Sequence, residues 1–562
     1  MVIKLVDIKS KLGKIPTVSS VLGNDPLHID ELPLKKVPDY MRKRGGIWYW
    51  TGALISMAFV YQIISGLLLL LYYVPSDAYG TTAGIINTVP YGSLMLTTHL
   101  YGAYAMIFLV YVHMFRNYFF GSYKKPRQIQ WIIGVLLLAI TIGVGYFGYS
   151  MTGDVLSIDA TDVGRGIAQS TPFLGAALES IFFGNGTATS LFTHMLAWHI
   201  ILVVGIGSLF GAHFWLAEAN GIMPAHRDVN HKAPAIDTEE EKHKKWYPYN
   251  MSFMTQIAMY SFGLLILIPS VIALLPNVPA LFSPFPQVSP SSPLAAYVPA
   301  YPPWFLLFVY KAVDFNLFSA AGALSALAAT AVFGIVPLVY FLMLPFIDTN
   351  DDLHPLSRPL VTSFGILGII YMIILSLWGA LTPGIPVTTP EVLAVLVPPF
   401  VIVVSGVFAM SRLYKKGRFK ITTGKITSSF LIFMFVMVLA AYSFGQNFTM
   451  TLVYANGLNV VSTVFTGGVM VFGAVGTMKS ARISNVQAND EKQRANVYQI
   501  SKNAAMVLSA LLAVGTIAIV YIIAQLDPVG PVPNAEFGIG LGFVMIFTGT
   551  IMRIYRAAFY NE

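Results

Sequence analysis

Ten histidines occur in the 562 residues, and five of them stand inside apolar stretches: His99, His113, His194, His199 and His213. Burying an imidazole in hydrocarbon is costly enough to point to function, although a single one can simply hydrogen-bond a neighbouring helix. Spacing narrows the choice. Thirteen residues separate His99 from His113, and thirteen separate His199 from His213. Fourteen steps of 100° come within about 40° of four full turns, so each pair shares a helix face, about 21 Å apart along the axis. Two such helices side by side would oppose imidazoles at two levels, which suits the two axial positions of a haem iron. Proton relay and structural hydrogen bonding are the other chemistries open to such histidines, but neither requires one spacing to occur twice.

The elements that must position these side chains are membrane helices. The chain is 56% apolar and 11% charged, with a mean hydropathy of +0.68, whereas a soluble chain carries about 25% charged residues. Twelve stretches are long and apolar enough to cross a bilayer, near 48–74, 92–120, 129–151, 190–217, 251–275, 318–346, 361–382, 391–413, 427–446, 457–478, 503–525 and 536–555. This is an all-α polytopic membrane protein. It has no cysteine, which excludes disulfides, thiolate metal sites, Fe–S clusters held by this chain and covalent haem attachment through C-x-x-C-H. The first 45 residues are polar and basic with no early apolar core, so no cleaved signal peptide is expected.

The net charge of +8 invites a nucleic-acid reading, but the basic residues are distributed otherwise. With the N-terminus cytoplasmic, 32 of the 34 Lys and Arg fall on inside segments, and only Arg165 and Lys311 fall outside. That asymmetry orients the chain with both termini cytoplasmic. The excess charge then faces the anionic inner leaflet as a solvated basic face, and no nucleic-acid partner is expected.

Orientation assigns depths. The spans holding His99/His113 and His199/His213 both run outside to inside, so His99 and His199 share the outer level and His113 and His213 the inner. Glycines repeat the pattern. Gly52 and Gly66 on the first span, and Gly134 and Gly148 on the third, are also fourteen positions apart. Those spans run the other way, which puts Gly52 and Gly134 at the inner level and Gly66 and Gly148 at the outer. Four side-chain-free positions at the haem depths would let a flat macrocycle lie between the helices. Two outside connections, 152–189 and the Pro-rich 276–317, are long enough to carry structure of their own, whereas the charged run at 237–245 reads as an exposed inside loop.

At this point the chain resembles the cytochrome b family of quinol:acceptor oxidoreductases, over residues of about 46–414. The paired His-x13-His motifs carry the resemblance. With them stand Gln62-Ile-Ile-Ser-Gly66, His113-Met-Phe-Arg116, Gly121-Ser-Tyr, Trp131-Ile-Ile-Gly134, Gly148-Tyr149 with Asp154, Pro172-Phe-Leu-Gly175 with Glu179, and Trp246-Tyr-Pro-Tyr249. It implies two haems, an outer one on His99 and His199 and an inner one on His113 and His213, with haem b expected and an A-type haem the alternative. It implies that Arg116 lies near an inner-haem propionate, where a guanidinium suits the charge. Quinol or quinone is the implied substrate, with an outer quinol site around Tyr149 and the stretch Pro302-Pro303-Trp304-Phe305, and Tyr310 at a family aromatic position. Pro303 replaces the family's Glu, so a quinol proton would need another acceptor: His194, Asp154 or water. His194 and Leu96 stand where the family has arginines, and Glu218 and Met254 stand at inner quinone-site positions.

These readings divide the chain into a cytoplasmic segment 1–45, a di-haem four-helix bundle 46–225, a cytoplasmic loop 226–250, helices 251–414 with the outer loop, and extra helices 415–562. The last four spans exceed the family's eight-helix core, as in extended cytochromes b of archaeal respiratory chains. The resemblance therefore implies a prokaryotic, archaeal-type cell membrane, a Rieske iron–sulfur protein as partner, and haem–copper terminal oxidase subunits as further partners within membrane lipid. Two rival functions were weighed on the same residues. A haem–copper oxidase subunit I needs a His-His copper pair and a His-x3-Tyr element, and the intramembrane histidines supply neither. A secondary transporter would use polar or broken helices at the midplane, which the matched histidines fit poorly.

Overall fold

The computed structural model describes residues 50–221, 223, 232–235, 249–417, 423–454, 457–487 and 500–559. The N-terminal segment 1–45, Trp246-Tyr-Pro of the family motif and the charged run 237–245 lie outside these. Among the described residues, twelve helices are long and apolar enough to cross a membrane. They are α1 (Thr51–Leu70), α2 (Gly92–Phe120), α3 (Gln128–Ser150), α4 (Ala188–Asn220), α5 (Tyr249–Ala273), α6 (Asn316–Ile347, in several pieces), α7 (Pro359–Leu381), α8 (Thr389–Lys415), α9 (Thr423–Tyr454), α10 (Gly457–Gln487), α11 (Lys502–Ile523) and α12 (Pro531–Phe559). Among the described residues no β-strand forms beyond two isolated bridges. Local sequence sets the irregularities. α6 opens with a 3-10 segment kinked at Gly322 (φ 57°) and carries a π-turn, Ala331–Ile335, just before Pro337. A proline has no N–H for the ladder and crowds the preceding turn, so the helix widens there.

α1 pairs with α2 and α3 with α4, and α2 packs on α3 to join the two hairpins. This puts the histidine-bearing helices α2 and α4 between the glycine-bearing α1 and α3. The four helices beyond the core separate into two hairpins. α9 and α10 pack beside α7 and α8, while α11 and α12 return to α5 and α2. Small residues permit that return: a methyl at Gly542 would stand 2.8 Å from Leu267 Cβ and 3.0 Å from the Gly263 carbonyl oxygen. Gly538 and Gly542 form the small-xxx-small spacing that lets membrane helices approach backbone to backbone.

The two long connections, 152–189 and 276–317, are structured. Helices Val155–Gln169 and Gly175–Phe183 fill the first, and the second winds through short turns into helix Leu307–Val313. Asp154 joins the two loops. Its Oδ1 accepts from Ser157 N–H (3.0 Å) and Thr152 Oγ1 (2.9 Å), and its Oδ2 accepts from Gln287 N–H (2.6 Å). A further helix, Ala78–Thr88, capped by Asp77, fills what the sequence reads as a plain connection between the first two spans.

The expectation of a solvated inside basic face needs correction at three residues. Lys124, Arg127 and Arg358 are buried. Lys124 and Arg358 both pair with Asp348 (3.0 and 3.3 Å), and Tyr123 bridges Asp348 and Arg358. Arg127 donates to the carbonyls of Asn220, Gly221 and Ala235. The first two close the C-terminal end of α4, where carbonyls lack helical partners and a cation is favoured. Arg165 and Lys311, the two basic residues expected on the other side, are also neutralised: Arg165 pairs with Glu179 (2.8 Å) and Lys311 with Asp314 (3.1 Å).

Candidate functional site

The four spaced histidines stand as two facing pairs. The rings of His99 and His199 are 6.4 Å apart between centroids, and those of His113 and His213 are 6.5 Å apart. Imidazole nitrogens bind first-row metals at about 2.0–2.1 Å, so a straight N–metal–N unit sets two ring centroids about 6.3 Å apart. Both pairs fit that separation. Among the described residues no group of three or more His, Asp or Glu side chains gathers as a metal site. Two protein ligands per centre suit an iron whose other four positions belong to a macrocycle, and do not suit a bare ion.

The second nitrogen of each ring is turned outward to a neighbouring helix. His99 Nδ1 lies 2.9 Å from Ser65 Oγ, and His113 Nδ1 lies 2.8 Å from Thr51 Oγ1. Ser65 gives its one proton to the Tyr61 carbonyl (2.7 Å), so it must accept from His99 Nδ1–H. His199 Nδ1 donates to the Val144 carbonyl (3.0 Å). His213 sits beside the corresponding Gln130 carbonyl, fourteen residues earlier, without a hydrogen bond of standard geometry. With Nδ1 protonated, the lone pair is on Nε2, which is the tautomer that ligates through Nε2. At His113 that lone pair accepts from Asn117 Nδ2 (3.1 Å), whose Oδ1 in turn accepts from Arg116 (2.9 Å). Arg116 also lies over the Phe120 ring (4.5 Å).

Each predicted glycine faces a histidine at its own level, but it makes room for the imidazole edge. A methyl at Gly52 would lie 3.5 Å from His113 Cε1, at Gly66 3.1 Å from His99, at Gly134 3.1 Å from His213 and at Gly148 2.8 Å from His199. The contact explains the adjacent oxygens: a helix close enough to touch the ring edge brings its hydroxyl or carbonyl within reach of Nδ1. Thr51 and Ser65, each one position before a glycine, form a fourteen-residue repeat of their own, a signal for these partners that the sequence carries.

The outer-loop residues gather beside α2 and α3. Pro302 and Pro303 are buried, Trp304 meets Tyr104 edge to face (6.1 Å), and Phe305 is buried against Gly145. Tyr149 donates to the Tyr301 carbonyl (3.3 Å). Tyr310, on helix Leu307–Val313, has its phenol pushed up by burial, then by Asp314 and Asp159. Of the expected proton acceptors, Asp154 is committed to the loop junction. His194 bonds the Ser190 carbonyl of its own helix (2.7 Å), and no described hydrogen bond or ring contact joins it to Tyr149, Trp304 or Tyr310. An apolar cleft of about 980 Å³ between α1, α2 and α5 opens beside this group, lined by Tyr101, Tyr104, Gln256, Tyr260, Phe282 and Trp304 among others.

Comparison with known proteins agrees with this arrangement. A family model described as cytochrome b(N-terminal)/b6/petB matches residues 104–290. A cytochrome b of Sulfolobus acidocaldarius is 41% identical over 408 residues, 70% of each chain. The cytochrome b subunit of a cytochrome bc complex from Chlorobaculum thiosulfatiphilum is 30% identical over 62% of this chain and 76% of its own. A solved hyperthermophilic respiratory Complex III chain shares the fold, with a TM-score of 0.52 at 23% identity, covering 71% of this chain and 97% of that one. Two histidine pairs on matched helices, in a twelve-span protein with such relatives, establish that the chain belongs to the cytochrome b family of membrane electron-transport proteins.

Proposed function

We propose that the chain is the di-haem subunit of a membrane quinol-oxidising complex, with His99 and His199 holding an outer haem and His113 and His213 an inner one. The observation that carries this reading is the pair of ring separations, 6.4 and 6.5 Å, with the Nδ1 atoms of His99, His113 and His199 held by neighbouring oxygens, which leaves Nε2 as the ligating nitrogen. Two haems at these positions would supply one-electron carriers at two depths of the bilayer. The protein's part is to fix ring orientation through Ser65, Thr51 and the α3 carbonyls, and to exclude water from both levels. Gly52, Gly66, Gly134 and Gly148 keep the rings against those oxygens, and Arg116 stands by the inner pair for an acidic group.

Quinol would enter from the lipid and meet the loop Pro302–Phe305 near Tyr149 and Tyr310, with the apolar cleft beside Trp304 accommodating its chain. Pro303 cannot accept a proton and both Asp154 oxygens already accept hydrogen bonds at the loop junction, so water is the acceptor this reading favours. One electron would pass to a Rieske-type partner and the other inward across the membrane. Haem–copper oxidase subunits are further partners on this reading, which takes the cell membrane to be archaeal and both termini to be cytoplasmic. The test is to purify the intact complex, identify its subunits, and add a reduced quinol while recording the haem α-bands. Reduction of b-type absorbance together with a co-purifying Rieske protein is expected. A complex without haem absorbance, or haems that quinol leaves oxidised, would overturn the proposal.

A further inference from the structure

The hairpin α11–α12 lies beyond the eight-helix core, yet it reaches the helix that carries His99. α2 starts at Gly92 after Tyr91, which is left-handed (φ 56°) and gives no side-chain cap. The first N–H groups of a helix have no intrahelical acceptor and need one from elsewhere. For Leu94 it comes from Asn534 of α12, 440 residues away, whose Oδ1 accepts the Leu94 N–H at 3.2 Å. Asn534 is 1% exposed, and its Nδ2 donates to the Pro528 carbonyl (2.8 Å), which also accepts from Tyr91 N–H (2.6 Å). A flipped amide would set donor against donor and acceptor against acceptor, so the side chain has one orientation. The Tyr91 and Phe537 rings meet at 4.7 Å, and Leu94 packs on Gly538.

From Leu94 the hydrogen bonds continue to the outer histidine. The Leu94 carbonyl accepts from Thr98 Oγ1 (2.6 Å), and Thr98 Oγ1 accepts from the Tyr61 hydroxyl (2.7 Å). The Tyr61 carbonyl accepts from Ser65 Oγ (2.7 Å), and Ser65 Oγ accepts from His99 Nδ1 (2.9 Å). We propose that Asn534 is a positioning residue for His99, through which the C-terminal hairpin sets the seating of the outer ligand helix and the hydrogen bond to the His99 ring. Among the described residues no such path from the hairpin runs to the inner pair: His113 bonds Thr51, at the other end of α1. The proposal rests on the assignment of His99 as an outer-haem ligand, and its test separates the two.

The intact complex is compared as wild type, N534A and T98V, with both haems titrated potentiometrically and their low-spin electron paramagnetic resonance signals recorded. N534A removes the anchor, and T98V removes the middle link while leaving the hairpin contact. Each is expected to shift the outer-haem potential and signal with the inner haem unmoved, and the double variant to shift them no further than the larger single one. Outer-haem properties equal to wild type in both single variants would overturn the proposal, as would equal movement of both haems. A plain stability role would lower the melting temperature without separating the haems, and counts against it likewise. If N534A does not assemble, T98V decides alone. A wild type with fewer than two low-spin haems would instead defeat the ligand assignment, and this proposal with it.

Discussion

The glycines facing the histidines give a graded prediction, because their clearances differ. At Gly148 an alanine methyl would sit 2.8 Å from His199 Cε1 and 3.1 Å from Nδ1. Carbon atoms in comfortable contact are about 3.5–4.0 Å apart, so the ring or the helix must yield by about 0.7 Å. Overpacking of that kind costs about 1–3 kcal/mol, while alanine regains about 0.5–1 kcal/mol of helix propensity over glycine. The net loss, about 0–2.5 kcal/mol and centred on about 1 kcal/mol, corresponds to outer-haem retention weakened about 5-fold. At Gly52 the methyl would lie 3.5 Å from His113 Cε1, already an ordinary contact, so Gly52→Ala should leave the inner haem in place. Gly66→Ala and Gly134→Ala, both at 3.1 Å, fall between. The assay is haem content by pyridine haemochrome, with electron paramagnetic resonance to tell the two haems apart. Equal haem loss in Gly52→Ala and Gly148→Ala, or none in Gly148→Ala, would refute the clearance argument.

Other substitutions test the shell around these groups. Thr51→Val removes the hydroxyl 2.8 Å from His113 Nδ1; inner-haem retention should weaken about 10–100-fold with the outer haem intact, as for other groups that orient metal-bound histidines. Lys311 is fully buried and bonds Asp314 and the carbonyls of Thr382 and Ile385 (2.8 and 2.9 Å); Lys311→Met should cost about 3–5 kcal/mol by stranding those partners, and an unchanged melting temperature in detergent would contradict that. Arg165, then Gln169, holds the Glu179 carboxyl below its usual range. That contribution is complete above the ordinary pKa of about 4.3 and is lost as pH falls through the depressed value. Hydrogen-exchange protection across 155–183, corrected for the intrinsic pH dependence of exchange, should therefore fall only in acid, and a loss of protection near neutrality would count against the ion pair.

The histidine and glycine levels were legible because the helix period turns a fourteen-residue spacing into a shared face. Thr51 and Ser65 obey the same spacing and could have been found with them. The Val144 and Gln130 carbonyls could not, since every residue carries one and only helix approach selects which is used. The four extra spans were visible as helices, but their division between α7–α8 and α5–α2 depends on contacts of Gly538 and Gly542 with helices distant in sequence. Charge counting gives an expected orientation but could not reveal that Lys124, Arg127 and Arg358 are buried clasps, because a count of charges says nothing of solvation. The sequence offers His194 as one substitute for the carboxylate that Pro303 replaces; its Nδ1 bonds the Ser190 carbonyl of its own helix, a local contact that sequence does not reveal.

The central claim is two haem centres, each on its own histidine pair. Potentiometric titration of the purified complex, with pyridine haemochrome quantification, tests it on wild type, His99→Ala and His113→Ala. The account predicts two low-spin haems per wild-type chain, loss of the outer one alone from His99→Ala, and loss of the inner one alone from His113→Ala. Fewer than two low-spin haems in the wild type, or loss of both from either assembled variant, would contradict it.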